Sequence, residues 1–271
     1  MTQTRERDFD AHVATLFAPV DKRPALYALH AFRTEIESVR DKIREALPGE
    51  VRLQWWRDTL ERAGRGDYVQ GPLATALAEA IERYHLPVKA LTDFIDAQTF
   101  DLYDDPMPST ADLEGFAGET AAAPIRLATL VLADGGDPGP ADAAGHAGVA
   151  LAVARILRRM PVHRSRGQVY VPADMLRRHG LDRSDWLSGE DPKAIKAAID
   201  ELVAHGEKHW AAYRRLARSV PRAVGPAFLP CHTVMLDFAA ARRAGAAALA
   251  TPITISRWRR ILAIFRGSLR G

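Results

Sequence analysis

The stretch that decides the fold runs from Gly145 to Pro172 and reads GHAGVALAVARILRRMPVHRSRGQVYVP. In its first half, apolar residues recur every three or four positions, which predicts a helix with one apolar face. These residues are Val149, Val153, Ile156, Leu157 and Met160. Pro161 has no amide hydrogen and disfavours a helical residue before it, so we expect the helix to end or bend there.

The second half of this stretch is basic and closes on a segment that we expect to be extended. That segment, GQVYVP, carries Tyr170. The basic or titratable side chains before it are Arg158, Arg159, His163, Arg164 and Arg166. A basic helix end beside such a segment is a candidate wall of a pocket for a phosphorylated ligand. The alternative is a core helix with a solvated basic end, because charge runs are usually solvated.

Composition places the chain among globular proteins and excludes several classes. Of its 271 residues, 47% are hydrophobic and 26% are charged, as expected for a folded domain with a sizeable core. A single cysteine, Cys231, rules out an internal disulfide framework and a cysteine-based zinc site, and fits a reducing compartment. The N-terminus is too charged for a secretory signal. The most apolar run, Ala121 to Ala133, is too short to span a membrane and contains Arg126.

Helical spacing continues through most of the chain. We expect Asp21 to cap a helix that begins near Pro24, and a break at Pro48–Gly49. A long helix is expected to start at Asp191–Pro192. Strand-like alternation never extends beyond a few residues, and no repeat is detectable. The sequence therefore predicts an all-α fold in a single domain, with helices around a core over residues 1–250.

Residues 251–271 form a separate, basic end. The net charge of the chain is only +3, but seven arginines follow the last acidic residue, Asp237. Helical spacing over residues 254–270 places five apolar side chains on one face: Trp258, Ile261, Leu262, Phe265 and Leu269. Such a helix either binds an anionic membrane surface or docks on the core with a charged outer face. Nucleic-acid binding is disfavoured because no recognition motif accompanies the charge.

Two acidic sets are candidates for chemistry. Glu37 and Asp41 are four residues apart on one predicted helix face, where two carboxylates can hold Mg²⁺ together or pair with neighbouring basic residues such as Arg40. Asp96 lies among apolar neighbours and is a candidate to face a polar cavity, and Asp101 follows at the end of the same predicted helix.

A third set is histidine-rich. His205 and His209 lie at i and i+4, a spacing that binds zinc, with Glu207 between them. The HExxH pattern is absent and the sequence shows no third ligand, so a solvated helix face is the favoured interpretation. The chain also contains no G-x-S-x-G elbow, no P-loop and no dinucleotide fingerprint.

Taken in order, several short motifs make the chain resemble the squalene/phytoene synthase family of head-to-head prenyl transferases. The motifs are Ala28-Leu29-His30-Ala31-Phe32 before the first acidic pair, Arg52-Leu53-Gln54-Trp55-Trp56-Arg57, Phe94-Ile95-Asp96-Ala97, Asp101-Leu102-Tyr103, Gly118-Glu119-Thr120-Ala121, Ile156-Leu157-Arg158 and Gly167-Gln168-Val169-Tyr170-Val171-Pro172. The resemblance implies one all-α domain of isoprenoid-synthase fold, in which helices surround an apolar cavity and two facing aspartate motifs hold Mg²⁺ against two prenyl diphosphates.

The resemblance assigns expected roles. Catalytic roles are expected for Glu37, Asp41, Asp96 and Tyr170, and any metal is expected on Glu37 and Asp41. Substrate binding is expected from Arg40, Arg57, Asp101, Arg158, Arg159, His163 and Arg166. The first D-x-x-x-D motif is altered to Glu37-x-x-x-Asp41, and the second is replaced by Arg159 and His163. Arginine cannot ligate Mg²⁺. If the two helices face each other, ion pairs from Arg159 and His163 to Glu37 and Asp41 are expected to close the mouth.

Loss of the aspartates also resembles the branch of the family that includes mitochondrial complex I assembly factors. Two functions therefore remain open. One is an accessory protein that binds an isoprenoid, another lipid or a protein partner. We expect such a protein to be cytoplasmic, to lie at the inner face of the membrane and to need no cofactor. The other is an active Mg²⁺-dependent prenyl transferase that joins two prenyl diphosphates, with Glu37, Asp41, Asp96 and Asp101 serving as the metal shell.

Overall fold

The computed structural model describes residues 8–43, 45–103, 105–136, 139 and 141–269. Every regular element within these ranges is a helix, which confirms the all-α prediction. Asp104, next to the Asp101-Leu102-Tyr103 motif, and the basic-tail residue Arg270 lie outside the described residues.

The α-helices are α1 (Phe9–Thr15), α2 (Arg23–Glu37), α3 (Val39–Lys42), α4 (Ala46–Gly64), α5 (Pro72–Tyr84), α6 (Val88–Thr99), α7 (Thr110–Ala117), α8 (Ala123–Leu132), α9 (Ala141–Ser165), α10 (Ala173–Arg178), α11 (Arg183–Ser188), α12 (Pro192–Leu216), α13 (Val234–Ala244) and α14 (Arg257–Ser268). 3₁₀ turns cover Phe100–Leu102, Ala217–Ser219, Arg222–Thr233 and Gly245–Leu249, and a π-helical turn covers Gly118–Ala122.

Helix α9 is the centre of the molecule. It packs along α12 and against the π-helical turn, and small residues on its first half make these approaches close. Ala143, Ala147, Ala150 and Ala154 are fully buried. At Gly148 a Cβ atom would lie 2.6 Å from the backbone nitrogen of Ala122, so only glycine fits this crossing without a shift. The apolar periodicity that predicted a core helix is confirmed.

The sequence predicted that the helix would end or bend at Pro161, and the first of these outcomes is wrong. Helix α9 continues through Pro161 to Ser165, because this proline lies near the end of the helix and removes only one backbone hydrogen bond. The chain leaves the helix at Gly167, which has a φ of +72°, and Gln168 N donates to the His163 carbonyl at 2.9 Å. The segment that follows, residues 168–172, is neither helix nor strand, and it is joined to Met107 by hydrogen bonds from Met107 N to Val169 O and from Ala173 N to Met107 O.

Two other predicted boundaries are shifted and one is confirmed. Lys22, not Asp21, occupies the N-cap position of α2, and it makes no side-chain capping bond. Pro48 and Gly49 do not break a helix but lie in the first turns of α4, where proline is tolerated. Asp191 does cap α12, because its carboxylate accepts hydrogen bonds from the backbone nitrogens of the first turn.

One helical run meets the length and composition of a membrane span, although the sequence suggested none. It covers Arg222–Leu249 and combines a 3₁₀ turn, α13 and a second 3₁₀ turn. Its side chains Phe228, Cys231, Val234 and Phe238 are buried in the core of the protein. Core helices of folded domains meet the same criteria, and 44% of the apolar window of this run is buried inside the protein.

Helix α14 is docked on the core and also presents an apolar outer face. On its inner side, Ile264 is fully buried against Val13, Ala14 and Leu229. On its outer side, Trp258 is 65% exposed, and Ile261, Phe265 and Leu269 are exposed on the same face. The docked alternative is therefore observed, but the exposed face is aromatic and aliphatic, with Arg259 and Arg266 exposed beside it.

The close approach at Gly148 generates a stability prediction. Gly148→Ala should destabilise the protein by about 1–3 kcal/mol, because the added methyl group overlaps the backbone of Ala122. Gly145→Ala is the matched control on the same helix, since no atom lies within 4 Å of its Cβ position. We expect this control to stabilise by roughly 0.5–1 kcal/mol through helix propensity. Urea unfolding measures both; equal effects would contradict the packing argument.

Candidate functional site

A cavity of about 810 Å³ opens between α2–α3, the second half of α9 and the segment that leads into α14. Its charged lining is mostly cationic, with eight arginine and lysine side chains and five carboxylates. The cations are Arg33, Arg40, Lys42, Arg155, Arg158, Arg159, Arg166 and Arg260, and the carboxylates are Asp8, Asp10, Glu37, Asp41 and Asp101. Apolar wall is supplied by Phe9, Phe116, Ala152, Ile156, Ile253 and Ile255.

The first acidic pair lies in this cavity and is held by arginines. Arg33 Nη1 lies 3.1 Å and Arg155 Nη1 3.5 Å from Glu37 Oε1. Arg166 and Arg159 both donate to Asp41 Oδ1, at 2.7 Å and 3.0 Å. Burial opposes ionisation of Asp41, but the hydrogen bond from Arg166 and the charge of Arg159 outweigh it, so the pKa of this carboxyl is lowered. Asp41 is therefore an arginine-bound carboxylate.

The two positions of the second motif behave differently. The expected ion pair is confirmed for Arg159, which bonds Asp41 across the cavity. It is wrong for His163, whose ring packs on Tyr170 with centroids 4.4 Å apart. Burial, together with the charges of Arg159 and Arg166, lowers the pKa of His163 to about 3, so this imidazole is neutral at pH 7. Low-dielectric surroundings disfavour the charged form of histidine.

The side chains at this mouth do not fit the Mg²⁺ site that the family resemblance implies. Mg²⁺ requires near-octahedral oxygen ligands at about 2.0–2.1 Å. Here the facing helix supplies Arg159 and His163 where oxygen ligands would be needed, and Arg159 and Arg166 both bond Asp41 Oδ1. The arrangement instead presents guanidinium groups, which bind phosphate and carboxylate oxygens in bidentate geometry.

A buried acid–phenol pair lies deeper in the wall. The Tyr170 hydroxyl donates to the Asp101 carboxylate, and Gln168 Nε2 donates to the Asp101 carbonyl at 2.9 Å. Burial raises the pKa of Asp101 to about 6, although the Tyr170 hydrogen bond opposes the rise. Burial and the neighbouring Asp101 charge raise the pKa of Tyr170. The pair therefore holds a proton-accepting carboxyl whose charge changes close to neutral pH.

A buried ion cluster anchors the C-terminal helix beside the cavity. Arg260 Nη1 donates to Asp10 Oδ2 at 2.7 Å, and Arg260 Nη2 donates to Asp237 Oδ1 at 2.5 Å. Arg158 Nη1 lies 3.4 Å from Asp10 Oδ2, and Thr233 Oγ1 donates to the same oxygen. Arg158, expected to bind substrate, is thus also part of the packing of α1, α13 and α14.

Two predicted site residues lie elsewhere. Arg57 Nε donates to Asp96 Oδ1 at 2.6 Å, and this ion pair is exposed on the outside of α4 and α6. Neither residue lines the cavity, which corrects the expectation that Asp96 faces a polar cavity. Asp96 follows buried Phe94 and Ile95 in sequence, but its position on α6 points away from them. The other predicted site residues, including Arg40, line the cavity.

Sequence reasoning missed several cavity residues, of which Arg33 and Arg155 contact the acidic pair. The signal was available in the helical spacing. Arg33 lies four residues before Glu37, and Arg155 lies four residues before Arg159, so each shares a helix face with a predicted site residue. Asp8, Asp10 and Arg260 carried no such signal, because they reach the cavity from distant ends of the chain.

The histidine pair on α12 is not the solvated face that the sequence favoured. The side chains of His205 and His209 are 10% and 9% exposed, and both approach Glu114 of α7. Glu207 lies on the other side of α12, where it forms a bidentate ion pair with Arg242. Residues four apart share one helix face, and here that face is turned inward.

The protein has an all-α fold of the isoprenoid-synthase type. Two solved structures share this fold. Squalene synthase HpnC from Alicyclobacillus acidocaldarius matches with a TM-score of 0.79 at 23% identity, covering 90% of this chain and 92% of that one. A dehydrosqualene synthase in complex with ligand matches with a TM-score of 0.81 at 15% identity, covering 99% and 94%.

The chain belongs to the squalene/phytoene synthase family, whose model matches residues 4–259. Among its relatives, human NADH dehydrogenase (ubiquinone) complex I, assembly factor 6, is 30% identical over 233 residues, which cover 86% of this chain and 69% of that protein. Presqualene diphosphate synthase of Rhodopseudomonas palustris is 24% identical over 218 residues, with 79% and 76% coverage.

The Asp101–Tyr170 pair predicts a specific pH dependence of stability. A folded-state pKa raised from 3.8 to about 6 means that the native protein keeps a proton that the unfolded chain has released. The stabilisation that the retained proton gives to the folded protein is fully present below about pH 4 and is lost as the pH rises to 6. Asp101→Asn cannot titrate, so its stability relative to the native sequence should increase by roughly 2–3 kcal/mol across this window.

Chemical denaturation of both proteins at pH 4, 5, 6 and 7 measures this difference. Tyr170→Phe serves as the companion variant, because it removes the hydrogen bond that opposes the shift and should move the transition to higher pH. A stability difference between Asp101→Asn and the native sequence that stays constant from pH 4 to 7 would contradict the assignment.

Proposed function

We propose that this protein is a non-catalytic or catalytically impaired member of its family that binds an isoprenoid diphosphate, or a related anionic isoprenoid lipid, without a metal ion. The observation that carries the proposal is the contact of Arg159 and Arg166 with Asp41. Where an active site would need carboxylate oxygens free for Mg²⁺, these guanidinium groups already neutralise the carboxylate.

The cavity has the chemistry for an amphipathic anion. The eight cationic side chains exceed the five carboxylates, so the lining carries an excess of positive charge even with every carboxylate ionised. Arginine forks such as those of Arg159 and Arg166 suit phosphate oxygens. The apolar wall from Phe116, Ala152 and Ile156 suits a hydrocarbon chain. A diphosphate would exchange the Asp41 contacts of the arginines for its own oxygens.

The C-terminal helix supports a membrane-surface location, which we propose together with the binding role. The segment at Ile253 and Ile255 lines the cavity, and α14 begins directly after it. Trp258 and Phe265 point outward from this helix, with arginines beside them. A helix of this kind lies in the interface of anionic membranes. The cavity would then open close to the bilayer, on the cytoplasmic side of the inner membrane.

An accessory role in the assembly of a respiratory complex is the biological setting that we infer. Its support is the similarity to proteins named as complex I assembly factor 6, which reaches 30% identity over most of the chain. The competing function is an active Mg²⁺-dependent prenyl transferase. It is favoured by the similarity to presqualene diphosphate synthases and by the retention of Glu37 and Asp41 in the cavity.

Titration with farnesyl diphosphate and geranylgeranyl diphosphate separates these functions. We expect calorimetry to show binding that is unchanged by Mg²⁺, with no release of inorganic diphosphate. The double substitution Arg159→Gln and Arg166→Gln should weaken binding by roughly 100-fold or more, because each of the two charge-assisted hydrogen bonds contributes about 1.5–3 kcal/mol.

Arg57→Gln is the matched control, since Arg57 also pairs with a carboxylate but lies outside the cavity. It should leave the affinity unchanged. Mg²⁺-dependent binding with diphosphate release would establish the prenyl transferase instead. Absence of binding to either diphosphate would leave a protein-partner role as the remaining accessory function.

Membrane binding is testable on the outer face of α14. Trp258→Ser combined with Phe265→Ser should lower flotation with phosphatidylglycerol vesicles by at least about tenfold, because two large apolar side chains no longer enter the interface. The native chain should bind phosphatidylcholine vesicles more weakly, since the flanking arginines then lack anionic headgroups.

Substitution is a sharper test than truncation at Ala250. Truncation would remove Arg260 and leave two buried carboxylates, Asp10 and Asp237, to share Arg158. Tyr68→Ser is the control, because Tyr68 is 78% exposed and lies far from α14 in sequence, after α4. If the α14 variant floats as well as the control, this helix face does not bind the membrane.

A further inference from the structure

A second polar cluster lies outside the cavity, between α7, α9 and α12. It contains Glu114 of α7, His205 and His209 of α12, and His146 of α9. None of these four residues lines the cavity described above. The cluster is therefore separate from the cavity that we propose as the ligand-binding site. An inference drawn from the cluster does not rest on the proposed function.

Three side chains converge on one point, and the two glutamate–histidine distances match the ligand spacing of a metal site. Glu114 Oε1 lies 3.3 Å from His205 Nε2 and 3.3 Å from His209 Nε2. All three candidate ligand atoms lie within 4.8 Å of one another. Charge-assisted hydrogen bonds are shorter, at about 2.7–2.9 Å. A tetrahedral ion with metal–ligand bonds of about 2.0–2.1 Å separates its ligands by roughly 3.3 Å.

The donor atom of His205 supplies a second, independent observation. Its Nε2 atom is buried and makes no hydrogen bond of acceptable geometry, although Glu114 is its neighbour. A buried polar atom without a hydrogen bond is costly, and such atoms in folded proteins require an explanation. A bound cation would supply the missing partner.

His146 fixes the orientation of His209. The Nδ1 atoms of these two rings are 3.1 Å apart, so one of them donates a hydrogen bond to the other. When His209 Nδ1 is the donor, the lone pair of His209 Nε2 points toward Glu114 and His205. Metal-binding histidines almost always use the second ring nitrogen in this way, and that contact sets the tautomer.

We propose that Glu114, His205 and His209 form a binding site for a divalent transition-metal ion, with zinc the best match, and that His146 orients His209 within it. Two imidazoles and one carboxylate are a zinc ligand set that leaves a position for water or a further ligand. Mg²⁺ is disfavoured because it prefers oxygen ligands. The bound ion would cross-link α7 and α12.

Zinc binding to the full, chelator-treated chain tests the proposal, with a chromophoric chelator as competitor. We expect one Zn²⁺ per chain, a rise in Tm with Zn²⁺ and no rise with Mg²⁺. His205→Asn and His209→Asn should each weaken zinc affinity at least 100-fold. Glu114→Gln should weaken it as well, and His146→Phe should weaken it by about 10- to 100-fold, as expected for an orienting residue.

His179→Asn is the matched control, because His179 also contacts a glutamate, Glu201, at 2.7 Å on the surface of the protein. It should leave zinc affinity unchanged. Co²⁺ bound to the native chain gives a readout that does not depend on a variant folding, since tetrahedral coordination produces strong visible d–d bands. Absence of stoichiometric Zn²⁺ binding, absence of these bands, or zinc affinity that survives both histidine substitutions would overturn the site.

Discussion

The pairing of the cavity-lining arginines of α9 with carboxylates is the constraint on which the rest of the structure depends. Arg155, Arg158 and Arg159 line the cavity from this central helix, and a guanidinium that is partly withdrawn from water, as those of Arg155 and Arg158 are, is stabilised by a carboxylate partner. Each finds its partner on a different element. Arg155 contacts Glu37 of α2, Arg158 contacts Asp10 of α1, and Arg159 contacts Asp41 of α3. Charge pairing thus assembles the walls of the cavity around one helix.

The same constraint accounts for the position of the C-terminal helix. Asp237 is almost fully buried, and burial raises its pKa even though Arg158 and Arg260 oppose the rise. Arg260 comes from α14 and completes the neutralisation of Asp237 and Asp10. Because that contact fixes the inner face of α14, the side chains on its opposite face must point outward. The exposure of Trp258 and Phe265 is therefore a consequence of a buried ion cluster on the other side of the helix.

Sequence reasoning succeeded where the signal was local. The start of α12 at Asp191–Pro192 and the apolar repeat of α9 depend on residues no more than four positions apart, and both are observed. It failed where the outcome depended on distant partners. Pro161 was expected to end or bend a helix, yet α9 continues to Ser165. Asp96 was expected in a cavity, yet it pairs with Arg57 on the outer surface.

The amino-acid sequence by itself determined the all-α class, the family resemblance and the replacement of the second aspartate motif by Arg159 and His163, because these follow from residue identity and short spacing. Only the tertiary structure decided that Arg159 bonds Asp41 while His163 stays neutral against Tyr170. It also brought Glu114 to the histidines of α12 from 91 positions away along the chain. Burial and charge at a site are set by elements distant in sequence, so local pattern alone does not contain them.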